Sequence, residues 1–314
     1  MKILVTGSSG TIGTRLCEKL IENGHEVIGI DWEPCKWNKE VEKIRIDIDL
    51  RNASSLTTHP SIPLRASNSQ PTVDMIIHLA ANARVYELVE HPDRAFDNMI
   101  TTFNMLEFAR KNNVNKFIFA SSRETYGNIH IAEEKYSEDK ANFAHCESPY
   151  TASKIAGEAL VESYKRCYSI DSVIFRFSNV YGMYDDSVRV VPQYFRLANA
   201  GKALKVFGKD KCLDFTYIDD CVQGIMLAVN KWDTSKNETY NIAYGEGVNL
   251  KHLADRVIEL TESNSKIDMG VPRTGEVVKY IADISHAKEK LGYEPQIPFD
   301  EGIKKSIEWY KANT

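Results

Sequence analysis

This sequence predicts an α/β fold, a doubly wound parallel sheet with a smaller mixed C-terminal region, on three observations. Strand-like apolar runs alternate with amphipathic helical patterns, a glycine loop joins the first run to the first helix, and the pattern changes after residue 180. In chain order the runs are KILVTG, EVIGID, EKIRIDI, VDMIIHLAA, KFIFASS and SVIFRFSNVYG, and TRLCEKLIENG reads as the first helix. Short runs rich in Val, Ile and Phe and apolar on both faces suit strands covered by helices on both sides.

Residues 52–73, NASSLTTHPSIPLRASNSQPTV, interrupt this rhythm. Their three prolines and many Ser, Thr and Asn residues predict an irregular surface connection rather than a long helix. Beyond residue 180 come a helix, SVRVVPQYFRLANAG, a strand, LKVFG, and the segment DFTYIDDCVQGIMLAVN. A strand, ETYNIA, and a helix, NLKHLADRVIELTE, follow. The expected organisation is a dinucleotide-binding part over 1–180 and about 214–245, with 181–213 and 246–314 forming a second, substrate-binding region. No internal repeat is present.

Composition narrows the partners. The 314 residues are 43% apolar and 26% charged, with 39 Lys and Arg against 44 Asp and Glu, a net charge of −5. Without a Lys/Arg-rich run, the chain offers no nucleic-acid face and no polybasic membrane face, and a small molecule is the expected partner. The start, MKILVTGSSG, is too short in apolar residues for a secretory signal, and no run approaches the roughly 18 needed to span a bilayer. Six cysteines without a Cys-x-x-Cys pair predict reduced thiols, a cytoplasmic protein and no metal site.

The loop VTGSSGTIG places Gly7, Gly10 and Gly13 between the first strand and the first helix, with Thr11 and Ile12 opening that helix. A tight turn there lets a diphosphate approach backbone N–H groups at the positive end of the helix dipole. Asp31 ends the second strand, where a carboxylate accepts from both ribose hydroxyls and repels a 2′-phosphate. NAD rather than NADP is therefore the expected cofactor. Asp47 and Ile48 are expected at the adenine edge.

SPYTASKIAGEALVESY reads as a helix with Ser148 as cap and Pro149 in the first turn. It carries Tyr150 and Lys154 on one face. A phenol with its pKa near 10 is a weak base at neutral pH. An ammonium about 4 Å away would lower it by roughly 3 units before desolvation opposes the shift. Tyr150 then becomes a base for a sugar hydroxyl. Tyr136 and Lys140 repeat the spacing in a charged loop and read as solvated.

Taken together, TGSSGTIG, HLAA, ASSRETYG, SPYTASK and RFSNVYG resemble the extended short-chain dehydrogenase/reductases, with a Rossmann-type sheet. Within them the chain is similar to the NAD-dependent nucleotide-sugar epimerases and dehydratases, of the UDP-glucose 4-epimerase kind, nearly end to end. The resemblance implies that Ser122 holds the reacting sugar O4, that Tyr150 is the base, and that Lys154 binds the nicotinamide ribose. It also implies cofactor contacts from Leu79, Ala80, Ala81, Asn98, Ser121 and Phe177. Substrate contacts are implied for Asn179 at the diphosphate, Val191, Pro192, Val206 and Phe207 around the base, and Arg273 and Glu276 at diphosphate and ribose. Arg84 and Tyr86 are expected to face the substrate, and Tyr280 matches a gate position that restricts bulky N-acetyl sugars. Relatives form dimers through two helices, here near 96–111 and 150–167, so a homodimer is expected.

Two departures stand out. Leu213 occupies a place where many relatives carry an arginine on the diphosphate, a contact worth on the order of 1.5–3 kcal/mol. Arg189 and Lys211 are the candidate replacements. In sugar 4,6-dehydratases an Asp and a Glu follow the hydroxyl residue; here Arg123 and Glu124 do. Glu124 keeps a base, but a guanidinium has no proton to give at neutral pH. The expected reaction is 4-epimerisation of a nucleotide sugar, most simply a UDP-hexose. C4 is oxidised to a 4-keto sugar, and hydride returns without facial preference. The alternatives are dehydration or decarboxylation by the same family, a simple dehydrogenase, and a non-catalytic NAD-binding regulatory protein.

Overall fold

The computed structural model describes residues 1–59, 62, 73–128 and 135–313. The first six strands, all in the large sheet, are Lys2–Thr6 (β1), Glu26–Asp31 (β2), Arg45–Asp47 (β3), Met75–His78 (β4), Lys116–Ser122 (β5) and Asp171–Phe177 (β6). Asn179–Tyr181 (β7), Leu204–Phe207 (β8) and Cys212–Tyr217 (β9) follow, then Glu238–Ile242 (β10), Gly247–Asn249 (β11), Ile267–Gly270 (β12) and Lys279–Tyr280 (β13). The helices named below are Thr11–Glu22 (α1), Ala53–Thr58 (α2), Val85–Glu90 (α3), Asp93–Lys111 (α4), Pro149–Tyr168 (α5), Val190–Asn199 (α6) and Ile218–Asn230 (α7).

The large sheet is parallel throughout, in the order β10-β6-β5-β4-β1-β2-β3. Strand order reverses between β1 and β4, the switch point where ligands of such sheets bind beyond the strand ends. Both faces are buried, as the runs predict. Ile3, Val5, Ile77 and Phe175 pack with Leu16 and Leu20 of α1 and Ile225 of α7. Leu4, Ile76, Phe117 and Ile174 pack on the other face with Leu106 of α4 and Val161 of α5. Two further sheets lie apart from the large one among the described residues, β11-β9-β13 with β7 beside β9, and β12-β8.

α5 starts as its sequence dictates: Ser148 Oγ accepts from Thr151 N–H at 3.1 Å and Pro149 sits in the first turn. Gly157 brings α5 against β5, because a side chain there would overlap the Phe119 ring. Most of the interruption at 52–73 lies outside the described residues. Its beginning is helical, the six-residue α2, which Asn52 caps by accepting from Ser54 N–H. That short helix is unexpected from composition; a strong cap offsets weak helix formers.

Tyr136 is not solvated as expected. It is buried against Tyr126 and Tyr280, and its backbone exchanges hydrogen bonds with Ile281 and Asp283. No described helix is long and apolar enough to cross a membrane, and all six cysteines are free thiols.

Candidate functional site

Two adjoining cavities open where β1, β2, β4, β5 and β6 end. The first, of about 270 Å³, is built on the glycine loop. Gly7 has φ +71°, and a Cβ on it would lie 2.8 Å from Ala80 N; one on Gly13 would overlap Gly7 O. At Gly10 a Cβ would meet only Gly7 O, at 3.4 Å, so its outer face is open to the cavity. No side chain caps α1, which leaves its first N–H groups available to an anion.

The predicted Gly7, Gly10, Thr11, Ile12, Gly13 and Asp31 line this cavity, as do Ile48, Leu79, Ala80, Ala81 and Asn98. Asp31 accepts from Ser9 and Glu33 N–H groups at 3.0 Å, and burial raises its pKa. Asn98 has a more structural place than expected: its amide is spent on the Asn82 backbone and on Ser153 Oγ. It braces the loop after β4 against α5.

Asp47 is a correction. It does not line the cavity; as the next position along a strand it points away from Ile48, into solvent, 3.8 Å from Arg45. Trp32 and Arg51 occupy the wall instead, the guanidinium 4.8 Å from the indole centre. A tryptophan directly after the strand-ending Asp31 was the available signal.

The second cavity measures about 580 Å³. Ser122, Glu124, Tyr150 and Lys154 line it together, with Ser121 and Phe177 at the same end. Arg84, Asn179, Arg189 and Val191 also line it, as do Phe207, Arg273 and Glu276. Val206 does not; it is fully buried, because alternation along β8 sends Phe207 to the cavity and Val206 to the core. Tyr280 also misses it, buried at 0% exposure beneath Tyr126 and the Arg123 guanidinium.

At one end the Tyr150 phenol and the Ser122 hydroxyl are neighbours in the cavity wall. Ser122 Oγ accepts from Glu124 N–H at 3.2 Å. Lys154 Nζ donates to Ala120 O at 2.8 Å and lies 5.8 Å from the Tyr150 ring centre. This geometry does not produce the expected depressed phenol. Burial pushes the Tyr150 pKa up to about 12, outweighing the nearby Ser122 hydroxyl and the cations Arg123 and Arg189. Burial likewise pushes Lys154 down to about 8, against the pull of Glu158. Desolvation exceeds charge pairing at both groups.

The unfolded chain holds the Lys154 proton up to pH 10.5, whereas the folded chain releases it near 8. Between those values the unfolded state binds more protons, so this residue's contribution to stability rises with pH and its cost is full below pH 8. Lys154→Met is expected to stabilise the free protein at pH 7 by on the order of 2 kcal/mol, after the lost bond to Ala120 O. That gain should shrink from pH 8 to 10.5 in urea titrations of both proteins.

Arg123 and Glu124 are both buried, their contact Nη2–Oε1 at 2.7 Å. Arg123 Nη2 also donates to Asn179 Oδ1 at 3.3 Å, and Asn179 Nδ2 donates to Asp214 O at 2.9 Å. Burial raises the Glu124 pKa, against Arg123 and Lys211.

Toward the outer end, Lys211 Nζ meets Glu276 Oε2 at 2.5 Å. Arg273 lies 3.9 Å from the Phe207 ring centre and 5.0 Å from that of Tyr86. Leu213 is buried in the wall. Arg189 borders both cavities and donates to Thr11 Oγ1 at 3.1 Å.

The sequence pattern of the NAD dependent epimerase/dehydratase family matches residues 3–243. The chain belongs to this family. The dTDP-glucose 4,6-dehydratase 1 of Escherichia coli K12 is 30% identical to it over 342 residues, 100% of this chain and 94% of that protein. The crystal structure of UDP-glucose 4-epimerase from Thermotoga maritima with UDP-glucose is 30% identical, with TM-score 0.88 and 99% of each chain covered. UDP-glucuronic acid 4-epimerase from Bacillus cereus, in complex with UDP-glucuronic acid and NAD, is 26% identical, with TM-score 0.88 over 100% of both chains.

As a member of the NAD-dependent epimerase/dehydratase family the chain uses NAD, and the first cavity fits it. The uncapped start of α1, the open face at Gly10 and the Asp31 carboxylate are what a diphosphate and a ribose require.

Proposed function

We propose that this chain is a cytoplasmic NAD-dependent nucleotide-sugar 4-epimerase acting on a UDP-hexose. One observation supports this over dehydration: the position that would supply an acid for expelling a hydroxyl is Arg123, whose guanidinium is already bonded to Glu124 at 2.7 Å. Epimerisation needs no such acid. The 30% identity to a dehydratase keeps water loss as the second reading, and Glu124 is the residue it would use.

NAD, when bound, supplies a hydride acceptor and donor. Ser122 and Tyr150, neighbours in the cavity wall, hold the sugar's O4 between two hydroxyls, and Tyr150 takes its proton and returns it. Lys154 is the cation that favours the phenolate once it turns from Ala120 O. Its depressed pKa lets it give up and regain a proton near neutral pH. Asp31, Thr11 and the glycines hold the cofactor. Arg189 and Lys211 take the diphosphate in place of the arginine missing at Leu213, and Arg273 with Phe207 and Val191 holds the nucleotide. The large sheet serves the cofactor and the smaller sheets the sugar nucleotide.

The decisive experiment incubates the protein with UDP-glucose and UDP-galactose and follows both by NMR and mass spectrometry. Interconversion at unchanged mass supports the reading. Loss of water or of carbon dioxide replaces it with elimination or decarboxylation, and bound NAD without turnover of any nucleotide sugar replaces it with a regulatory role.

We also propose a homodimer through α4 and α5. Phe96 and Phe103 stand 62% and 46% exposed on α4, and Tyr168 is exposed at the end of α5. Phe103→Glu is expected to convert the dimer to monomer in light scattering, with the fold retained in circular dichroism.

A further inference from the structure

The two cavities of the site share a wall. The residues that line both are Ile12, Leu79, Ala81, Ala83, Ala120 and Arg189. All but the last are apolar, so among the described residues Arg189 is the one charge on that wall. It stands directly before α6, at the end of the loop from β7. Its Nη2 lies 3.1 Å from Thr11 Oγ1, which lines the first cavity, and 3.3 Å from Asp185 Oδ2, which lines the second. Nε donates to Ser187 Oγ at 3.2 Å. Nη1 has no hydrogen-bond partner among the described residues, and it is not sealed, since the side chain is 38% exposed.

Cations nearby are already held. In the first cavity Arg51 meets Asp49 at 2.7 Å and Asp97 at 3.3 Å. In the second, Arg84 pairs with Glu87, Arg123 with Glu124 and Lys211 with Glu276. Thr11 opens α1, so an anion on the free N–H groups of that helix comes within reach of the Arg189 guanidinium. The cavity proposed for the sugar nucleotide, with a second diphosphate, lies across the wall. Two diphosphates would repel one another through apolar side chains, and a guanidinium between them offsets that repulsion. Whichever ligand binds first draws the side chain from Asp185 and fixes it, and the second meets it already ordered.

We propose that Arg189 couples the two cavities: its guanidinium is shared by the diphosphate of NAD and that of the sugar nucleotide, so each ligand tightens the binding of the other. The inference rests on the reading that the second cavity takes a nucleotide diphosphate. It holds the cofactor most firmly while substrate is bound, as a reaction that regenerates its cofactor in every cycle requires.

Equilibrium dialysis of the NAD-loaded protein against a series of radiolabelled NAD concentrations gives the Kd for NAD, with and without saturating UDP or dTDP. Nucleotide uptake is measured in the same samples by chromatography. In the wild type the nucleotide that binds should lower the Kd for NAD by on the order of 10-fold. The double variant Arg189→Met/Asp185→Asn, which strands no buried carboxylate, should show no such lowering. Arg189→Lys keeps the charge without the fork and should retain part of it. A nucleotide that binds the wild type and leaves the Kd for NAD unchanged overturns the bridge alone. A lowering that survives undiminished in the double variant does the same. Uptake of neither nucleotide removes the sugar-nucleotide reading and the bridge with it. The wild-type arm needs no variant, and the lysine variant carries the assignment where the double variant fails to fold. Coupling without turnover of any nucleotide sugar upholds the bridge and removes the epimerase reading alone.

Discussion

Tyr150→Phe is expected to lower kcat by about 10²–10⁴-fold, the range that a positioned general base contributes. NAD binding should be retained, because the aromatic body of the residue stays and the glycine loop and Asp31 are untouched. Stability should change little, since the substitution removes one hydroxyl and keeps the buried ring in place. The pH dependence separates the base from a merely structural phenol. Burial holds the free phenol near a pKa of about 12, so the reactive phenolate is scarce at neutral pH and wild-type kcat/KM should climb as pH rises from 6 to 9. In the variant that climb should vanish along with the rate. A variant with near-native kcat, or one that keeps the climb, would sink the assignment of Tyr150 as the base.

The same residue shows what a sequence discloses and what it hides. The helix around Tyr150, its Ser148 cap and the shared face with Lys154 are written in neighbouring residues, and the structure reproduces them. Strands β1, β2, β4, β5 and β6 are equally legible, because burial on both faces forces mainly apolar runs. The electrostatic direction is not legible. It depends on how much water surrounds the phenol and on Ala120 O drawing the ammonium aside, and neither follows from a spacing of four. Asp47 and Val206 fail for a simpler reason. Each is one residue from a true wall position, Ile48 or Phe207, and in extended chain one residue reverses the face. Tyr280 fails because its neighbours Tyr126 and Tyr136 lie more than a hundred residues away in sequence.

One hidden feature did leave a trace. FRFSNVYG puts Arg176 between Phe175 and Phe177 in a strand, and a buried guanidinium must find an anion. It finds Glu158, one turn of α5 beyond Lys154, at 2.9 and 2.8 Å in a two-point contact. Nη1 of the same guanidinium donates to Tyr126 Oη at 3.2 Å and to Glu138 O. Glu158 in turn accepts from Ser121 Oγ. The network thus ties the turn that carries Ser122 to the helix that carries Tyr150, from behind the cavity.

Arg176→Met is accordingly expected to destabilise the protein by about 3–5 kcal/mol, the cost of breaking a buried pair and leaving its partner behind. In a thermal melt this is a Tm lowered by roughly 6–15 °C. The double variant Arg176→Met/Glu158→Met removes both charges and should recover most of the loss, because what is expensive is the stranded carboxylate and not the missing bridge. Activity should behave differently. Ser121 loses its acceptor in the double variant, so the turn at Ser122 is held less firmly, and kcat should fall while Tm returns toward the native value. Equal recovery of both quantities would mean that the pair serves the fold alone, and an undestabilised Arg176→Met would mean that the guanidinium is not buried as the strand places it.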